Sequence, residues 1–386
     1  MRTVTYVANN DVTLLESGST YFPALLAAID AAQHEILYET YIYAEDATAR
    51  AVTDALIRAA KRGVKVRVLA DWFGTGNRTA CRLKAEFCAV CVHYRTFNPW
   101  FRRGAARSHR KIAVMDRQVA FVGGINTNDD NLHDYEPHAP LPAPRWDFAV
   151  CVRGPLVTEI HREAQAQWTR AGHLPLVRRI NLFREMRKQP AALGDHPMRA
   201  AFVVRDNLRN RRTIQRAYLQ AIGRARKRVL MATPYFAPGR RFREALCQAA
   251  RRGVDVWLMI GVGEFRMQDA VASSFYPQLL AAGVRIVEYR KTQLHAKVAV
   301  VDDNWATVGS SNCDGLSLFV NQEANVVVRD AQFAGSLARQ IERGIADGVQ
   351  VCMDDLRQLG WVRRCGHEMA YFLYKMTMRV VAIGYA

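Results

Sequence analysis

The sequence carries one set of chemically active side chains twice, in the same order. Each copy reads His-x-Lys, four further residues and Asp, and a Gly-x-x-Asn turn follows. Imidazole is both a nucleophile and a proton carrier near neutral pH, and lysine supplies a positive charge. The set therefore predicts chemistry on an anionic group. The copies consist of His109, Lys111, Asp116 and Asn126, and of His295, Lys297, Asp302 and Asn312.

Apolar, β-branched residues follow each His-x-Lys pair, in KIAVMD and in KVAVVD. This pattern predicts a buried strand on which alternation places His and Lys on one face and the motif Asp on the other. Asp116 and Asp302 are therefore candidates for either a catalytic or a structural role. The VGG and VGSS that follow predict a tight turn where backbone N–H groups approach an oxyanion, with Ser310 as a further donor.

Three other pairs of segments repeat in the same order, which indicates a tandem duplication. AAKRGVKVRVLAD resembles AARRGVDVWLMIG, ILYETYIY resembles VLMATPYF, and WDFAVCVRG resembles QEANVVVRD. Each unit alternates helices and strands, so we expect α/β units whose sheets are covered on both faces. The Pro- and Gly-containing stretch within Gln189–Asp206 predicts the boundary. The expected domains are residues 1–190, residues 191–345 and a helical, interfacial tail at 346–386.

The composition favours a polyanionic partner. The 386 residues include 54 Lys and Arg against 36 Asp and Glu, a net charge of +18. Nucleic acid and anionic membranes both attract such a protein. The sequence predicts neither a signal peptide nor a membrane span. Cys88 and Cys91 lack a second pair, and His133 and His138 lie in a predicted loop, so we expect no metal and no cofactor.

The paired motifs resemble those of the phospholipase D superfamily. The resemblance extends from about Leu14 to Asp330, and the flanking segments are similar to bacterial cardiolipin synthases, in particular the compact form without N-terminal membrane helices. Segments that carry it include VVRDN, PYFAPGRRFREALCQAARRGV and WATVGSSNCDGLSLFVNQEANVVV. The resemblance implies two tandem phospholipase D-like α/β/α sandwich units, related by a pseudo-two-fold, with the active site at their interface.

The resemblance also implies phosphatidyl transfer without a metal. Two phosphatidylglycerol molecules would give cardiolipin and glycerol through a phosphatidyl-histidine. His109 is then the expected nucleophile and His295 the acid/base, with the reverse assignment open. The resemblance gives phosphate binding to Lys111, Lys297, Asn126 and Asn312, with Ser310 beside them. Asp147 and Glu323 would orient the histidines, although Asp147 departs from the usual spacing and Glu136 is a rival.

Membrane contact is expected from three segments, with the protein peripheral on the cytoplasmic side of the bacterial cell membrane. They are Asn98–Arg107, Leu176–Lys188 and the tail from Met369 to Ala386. In the tail, helical spacing places Met369, Leu373, Met376, Val380 and Ile383 on one face, as in an interfacial helix. The alternative for the tail is a terminal helix docked on the core. No nucleic acid partner is expected, and the oligomeric state stays open.

Three other functions compete with lipid synthesis. The same motifs would serve a hydrolytic phospholipase D with water as the acceptor. A nuclease of the same superfamily would also use the high positive charge. A basic membrane-binding protein with an inactive site is the alternative outside enzymes, and the presence of all motif residues argues against it.

Overall fold

A computed structural model describes residues 4–102, 104–134, 139–172, 194, 196–207 and 209–381. The chain forms two compact units. The N-terminal unit contains Thr5–Pro140 and Phe148–Phe202. The C-terminal unit contains Leu141–Asp147 and the chain from Val203 onward. The predicted boundary between residues 190 and 191 lies outside the described residues, and the three-domain division stays a prediction.

The N-terminal unit is built on a mixed sheet in the order β8-β1-β7-β6-β5-β2-β3-β4. Strands β2, β3 and β4 run parallel, and β2, β5, β6, β7 and β1 pair antiparallel in succession. The strands are β1 (Val7–Glu16), β2 (Glu35–Thr40), β3 (Lys65–Asp71), β4 (His93–Phe97), β5 (Ile112–Met115), β6 (Val119–Gly123), β7 (Phe148–Arg153) and β8 (Met198–Arg205).

Amphipathic helices pack on this sheet. Asp46 caps α2 by accepting the N–H of Ala49, and Val52, Leu56 and Ala59 are buried at helical spacing. The helices are α1 (Ser17–Ala31), α2 (Ala47–Lys61), α3 (Trp72–Thr75), α4 (Asn77–Cys88), a 3-10 turn at Pro99–Phe101, and α5 (Leu156–Ala171).

The C-terminal unit repeats this topology in the order β17-β12-β11-β9-β13-β14-β16. Strands β9, β11 and β12 run parallel, and β9, β13, β14 and β16 pair antiparallel in succession. The strands are β9 (Arg228–Thr233), β10 (Phe236–Ala237), β11 (Asp255–Gly261), β12 (Arg285–Tyr289), β13 (Val298–Val301), β14 (Trp305–Gly309), β15 (Cys313–Asp314), β16 (Glu323–Arg329) and β17 (Val349–Val351).

Helices cover the C-terminal sheet as well, and a long helix follows the repeat. They are α6 (Thr213–Arg224), α7 (Arg240–Arg251), α8 (Arg266–Ser273), α9 (Tyr276–Ala281), α10 (Gly315–Phe319), α11 (Ala331–Ala346), α12 (Met353–Gln358) and α13 (Trp361–Val381). Gly63 and Gly253 end the matching helices α2 and α7 with φ of 91° and 87°, which glycine adopts without strain. The α/β class and the repeated unit predicted from the sequence are confirmed.

Candidate active site

Each His-x-Lys pair lies immediately before a fully buried strand. Strand β5 begins at Ile112 and β13 begins at Val298, so the motif residues precede the strands in which the sequence pattern placed them. Their backbones still pair with the neighbouring strand, because Gly123 and Gly309 donate to the carbonyls of Lys111 and Lys297 at 3.3 Å. The histidines and lysines therefore lie at the N-terminal end of an interior strand in each sheet.

The two lysines make the same contact in both copies. The Lys111 Nζ donates to the carbonyl oxygen of His109 at 2.8 Å, and the Lys297 Nζ donates to that of His295. Lys111 and Lys297 are 3% and 1% exposed. An ammonium so deeply buried is costly unless anionic or polar groups surround it, so this placement suits a bound anion.

His295 has a buried carboxylate partner. The Oδ2 of Asp147 lies 2.6 Å from the His295 Nδ1, and the two side chains are 1% and 7% exposed. A carboxylate at this distance accepts the Nδ1–H and leaves the Nε2 as the basic nitrogen. Asp147 thus holds His295 in the tautomer and orientation required of a proton carrier. The rival Glu136 and the nearby His138 lie outside the described residues.

A short parallel bridge places Asp147 beside the motif. Trp146 donates its N–H to the carbonyl of Gln293 at 3.0 Å, and its own carbonyl accepts from His295 at 2.9 Å. The Arg145 Nε also donates to the Gln293 Oε1 at 3.0 Å. The repeat aligns Asp147 with Glu323, but the sequence gives no sign of this bridge, because a single pair of bridged residues leaves no periodic pattern.

The turn after β14 holds the remaining polar residues of the C-terminal half-site. Ser310 donates to the Glu323 Oε2 at 2.5 Å and accepts the N–H of Ala324 at 3.0 Å. These bonds position the fully buried Glu323, and the predicted contact of Ser310 with phosphate stays a prediction. The Asn312 Oδ1 is buried without a hydrogen-bond partner among the described residues. If the amide group rotates by about 180°, its Nδ2–H₂ takes the position of the Oδ1 and can donate to a ligand there.

The N-terminal half-site is built around an aromatic ring. Tyr41 contacts the His109 ring edge-on at 4.7 Å, and the Lys111 Nζ lies 5.1 Å from the centre of the Tyr41 ring. Asn126 accepts the N–H of Ile42 through its Oδ1 at 3.2 Å, so its Nδ2 is the group that can donate to an anion. Tyr41 lies within the repeated segment ILYETYIY, and that repeat was its only sequence signal.

A buried network fixes the backbone on both sides of His109. The Arg110 guanidinium pairs with Glu39 at 2.8 Å, and Ser108 donates its hydroxyl to the same carboxylate at 2.6 Å. The N–H of Ser108 donates to Asp71 at 2.8 Å. Burial raises the pKa of Asp71 to about 6, and hydrogen bonds from Ser108, Gly74 and Phe73 oppose that rise. No sequence pattern indicates this network, since its members are far apart in the chain.

The motif aspartates occupy the opposite ends of the strands. Asp116 accepts the N–H groups of residues 33, 34 and 35 at 2.7–2.8 Å, and Asp302 accepts those of residues 226, 227 and 228. The four residues of β5 separate Asp116 from Lys111, and the five steps between the two residues span about 16 Å at the usual rise. These contacts favour the structural role that alternation indicated.

The sequence predicted no metal ligands. Throughout the ranges it describes, no three His, Cys, Asp or Glu side chains are grouped as metal ligands would be. Cys88 and Cys91 are exposed free thiols.

The structure describes most of two of the three predicted membrane segments, all but residue 103 of the first and residues 382–386 of the tail. In Asn98–Arg107, Trp100 and Phe101 are 65% and 45% exposed, and the Arg107 guanidinium lies over the rings of Phe101 and Phe73 at 4.2 and 4.6 Å. The segment Leu176–Lys188 lies outside the described residues. No helix in the part of the chain that the structure describes is long and apolar enough to cross a membrane.

The C-terminal helix α13 packs against the unit with one face and exposes the opposite one. Met378 is buried beside Val320, Tyr371 contacts Phe275 at 4.9 Å, and Tyr374 accepts the N–H of Gly315. The predicted apolar face points away from these contacts and is 43–86% exposed at Met369, Leu373, Met376 and Val380, with Phe372 beside it. Ile383 lies outside the described residues. The helix is therefore docked, as the alternative expected, and still exposes an apolar face.

Both half-sites fall within regions that match known proteins. The family described as "Cardiolipin synthase, PLD-like domain" matches residues 25–139 and 218–345. Cardiolipin synthase B from Escherichia coli K12 is 37% identical over 357 residues, which are 88% of this chain and 82% of that protein. Cardiolipin synthase A from Pseudomonas putida GB-1 is 30% identical over 371 residues, covering 94% and 74% of the two chains.

The fold recurs in a solved structure. Phosphatidylserine synthase from Haemophilus influenzae Rd KW20 matches 98% of this chain with a TM-score of 0.71 and 14% identity, and 96% of that chain is covered. The likeness confirms the predicted fold class. The two blocks of the family match contain the two His-x-Lys motifs, one in each. With most of the chain also aligned to cardiolipin synthases, this protein belongs to the cardiolipin synthase family of the phospholipase D superfamily.

Proposed function

We propose that the protein transfers a phosphatidyl group from one phosphatidylglycerol to the glycerol hydroxyl of another, giving cardiolipin and free glycerol. The observation that carries the proposal is the buried Asp147–His295 pair beside the buried Lys297, in a chain 37% identical to a cardiolipin synthase. Histidine, lysine and asparagine supply all the groups that this exchange needs. The proposed reaction uses no metal and no cofactor.

The first step of the proposed reaction forms a covalent intermediate. The His109 imidazole attacks phosphorus, the bond from phosphorus to the glycerol oxygen breaks, and protonated His295 gives its proton to that oxygen. The products are phosphatidyl-histidine and glycerol. The Asp147 carboxylate stabilises the imidazolium form of His295, which favours His295 as the proton carrier. In the alternative mechanism His295 is the nucleophile and His109 carries the proton.

The second step reverses the proton transfer. Neutral His295 takes the proton from a hydroxyl of the second phosphatidylglycerol, whose oxygen attacks phosphorus and releases His109 as the leaving group. Two positive charges, on Lys111 and Lys297, stabilise the non-bridging oxygens as charge develops, and the amides of Asn126 and Asn312 donate to them. Each repeat contributes one histidine, one lysine and one asparagine, which is the chemical reason for two copies.

The proposal includes a peripheral place on the cytoplasmic side of an anionic membrane. The exposed face of α13 and the aromatic surface around Trp100 present apolar side chains next to basic ones, as interfacial segments do. The net charge of +18 favours phosphatidylglycerol-rich bilayers, where each nearby basic residue contributes about 1 kcal/mol.

Lipid mass spectrometry tests the proposed function. Purified protein is incubated with phosphatidylglycerol vesicles beside His295→Ala and a matched His93→Ala variant, which changes an exposed histidine at the start of β4. The proposal expects cardiolipin and glycerol from the wild type and from His93→Ala only. Phosphatidic acid in place of cardiolipin would make water the acceptor and the protein a phospholipase D. The absence of any lipid product would overturn the lipid proposal and direct attention to nucleic acid.

A further inference from the structure

Besides the exposed apolar face of α13, the C-terminal unit has an apolar pocket next to its half-site. It is a pocket of about 220 Å³ between α8, the β10–β15 pair and the C-terminal helix α13. Its lining includes Phe236, Met267, Val271, Leu316, Tyr374 and Met378. None of these side chains takes part in the proposed phosphatidyl transfer.

The pocket is directly connected to the half-site by the chain. Strand β15 begins at Cys313, the residue after Asn312, and pairs in parallel with β10. The N–H of Cys313 donates to the Thr233 hydroxyl at 3.2 Å, at the end of β9. Asp314, which lines the pocket, is two residues from Asn312, about 7 Å along an extended chain. A ligand bound at Asn312 therefore has this pocket within reach.

The character of the pocket fits a hydrocarbon chain. Phe236, Val271 and Met378 are each at most 2% exposed, so they form its inner wall. Met267 and Leu316 are 52% and 41% exposed, which places apolar side chains at its surface. The one carboxylate in the lining, that of Asp314, accepts the N–H of Ser317 at 2.7 Å. An apolar lining of this kind binds by burial of hydrocarbon rather than through polar recognition.

Helix α13 closes the pocket and lies outside the catalytic repeat. Tyr374, Thr377 and Met378 of this helix line it, whereas the family match ends at residue 345. The opposite face of the same helix is the exposed apolar face described above. One helix thus joins a pocket at the half-site to a surface suited to lipid.

We propose that this pocket binds one acyl chain of the phospholipid whose phosphate is held beside His295 and Asn312. The proposal rests on the proposed function for the identity of the lipid. The pocket makes the enzyme respond to acyl-chain length, since a chain too short to enter it loses the burial that a long chain gains. A narrowed pocket therefore weakens long-chain substrates and leaves short-chain ones unaffected.

The test narrows the pocket with Thr377→Trp and uses Thr377→Ser as its control. Thr377 is an exposed position of α13, so the larger side chain adds no strain to the core. Serine keeps the hydroxyl that donates to the Leu373 carbonyl at 3.0 Å. The kcat/KM for dipalmitoyl phosphatidylglycerol in mixed micelles should fall at least about tenfold in Thr377→Trp, and that for dihexanoyl phosphatidylglycerol less than about twofold. Equal losses on both substrates, or no loss on either, would overturn the pocket proposal.

Photolabelling separates the pocket from catalysis. Phosphatidylglycerol with a diazirine at the end of one acyl chain is bound to the wild type, irradiated, and the labelled peptides are mapped. Labels on Gln268, Val271 or Met378 are expected, and they should be lost in Thr377→Trp while labels on Phe372 at the outer face persist. This readout needs no turnover, so it stands even if the proposed reaction fails. Labels confined to the outer face in the wild type would contradict the pocket proposal.

Discussion

The Asp147 Oδ2 lies 2.6 Å from the Nδ1 of His295, although 148 residues separate them in the chain. The carboxylate that follows the first motif in sequence therefore serves the histidine of the second. The parallel bridge between Trp146 and Leu294 makes this possible, because it brings residues 145–147 into the C-terminal unit.

Replacing Asp147 with asparagine should remove most activity without unfolding the protein. The amide oxygen can still accept the Nδ1–H, but the side chain carries no negative charge to stabilise the imidazolium, so turnover should fall by at least about a hundredfold. Asp330→Asn is the matched control, because Asp330 caps α11 in the same unit away from the site. The measurement is the rate of cardiolipin formation with thermal unfolding of both variants. Full activity in Asp147→Asn would show that the pair is not used in the reaction.

The motif lysines should matter for the transition state. Lys297→Met and Lys111→Met each remove one positive charge from the phosphate site and should lower kcat/KM by about a hundredfold to a thousandfold. Lys227→Met serves as the control, since Lys227 forms an exposed ion pair with Asp303. The steady-state rate on phosphatidylglycerol is compared for the three variants. If kcat/KM falls as much in Lys227→Met as in the motif variants, the motif lysines have no special role in the reaction.

The motif aspartates should affect stability rather than chemistry. Asp302→Ala deprives three backbone N–H groups of their acceptor, which should lower the free energy of unfolding by about 1–3 kcal/mol. The activity per folded molecule should stay within about threefold of the wild type. Chemical denaturation measures the free energy of unfolding, and the activity assay measures turnover. Asp303→Ala, which changes the exposed neighbouring residue, is the control. A hundredfold loss of activity at unchanged stability would assign Asp302 a catalytic role.

The outer face of α13 should bind membranes. Phe372→Ser combined with Met376→Ser removes two exposed apolar side chains, and partitioning onto anionic vesicles should fall at least about tenfold. Val349→Ser removes another exposed apolar side chain, on β17, and should leave binding unchanged. Vesicle sedimentation at two salt concentrations measures both variants. If the wild type is a dimer that the double variant converts to a monomer with unchanged vesicle binding, the face joins two copies instead.

Asp314 should give the folded protein a defined pH dependence. Burial raises its pKa from 3.8 to about 6, so the folded state binds more protons than the unfolded state between these values. The free energy of unfolding contributed by this group is therefore highest below pH 4, falls as the pH rises to about 6, and is constant above. Asp314→Asn keeps the helix cap and cannot ionise, so it should lack this fall, which amounts to about 3 kcal/mol.

Denaturation of Asp314→Asn and the wild type at several pH values between 4 and 8 tests this expectation. The stability difference should move in favour of the variant as the pH rises. A difference that stays constant across the range would show that Asp314 titrates near its ordinary pKa.

The duplication made much of the fold predictable. Motifs, glycine caps and β-branched strands recur in both halves, so each helped to interpret the other, and the structure confirms the α/β repeat. The strand bounds were less predictable, because the buried residues of β5 and β13 do not show where hydrogen bonding begins.

The orientation of the site residues came from contacts that leave little trace in sequence. The Arg110–Glu39 pair and the Trp146 bridge join residues far apart in the chain, and no spacing indicates them. The two faces of α13 show a related difficulty. A pattern of apolar residues predicts an apolar face, but Met378 is buried and Met376 is exposed only because of what packs against the helix.

The proposed mechanism requires both histidines to act on one phosphodiester through a covalent intermediate. Exchange of deuterated glycerol into phosphatidylglycerol tests it most directly, because a phosphatidyl-enzyme must return its lipid to any glycerol present. Mass spectrometry of the lipid should show deuterated phosphatidylglycerol with the wild type and none with His109→Ala or His295→Ala. Exchange that persists in either variant, or cardiolipin formed by the wild type without any exchange, would contradict the account.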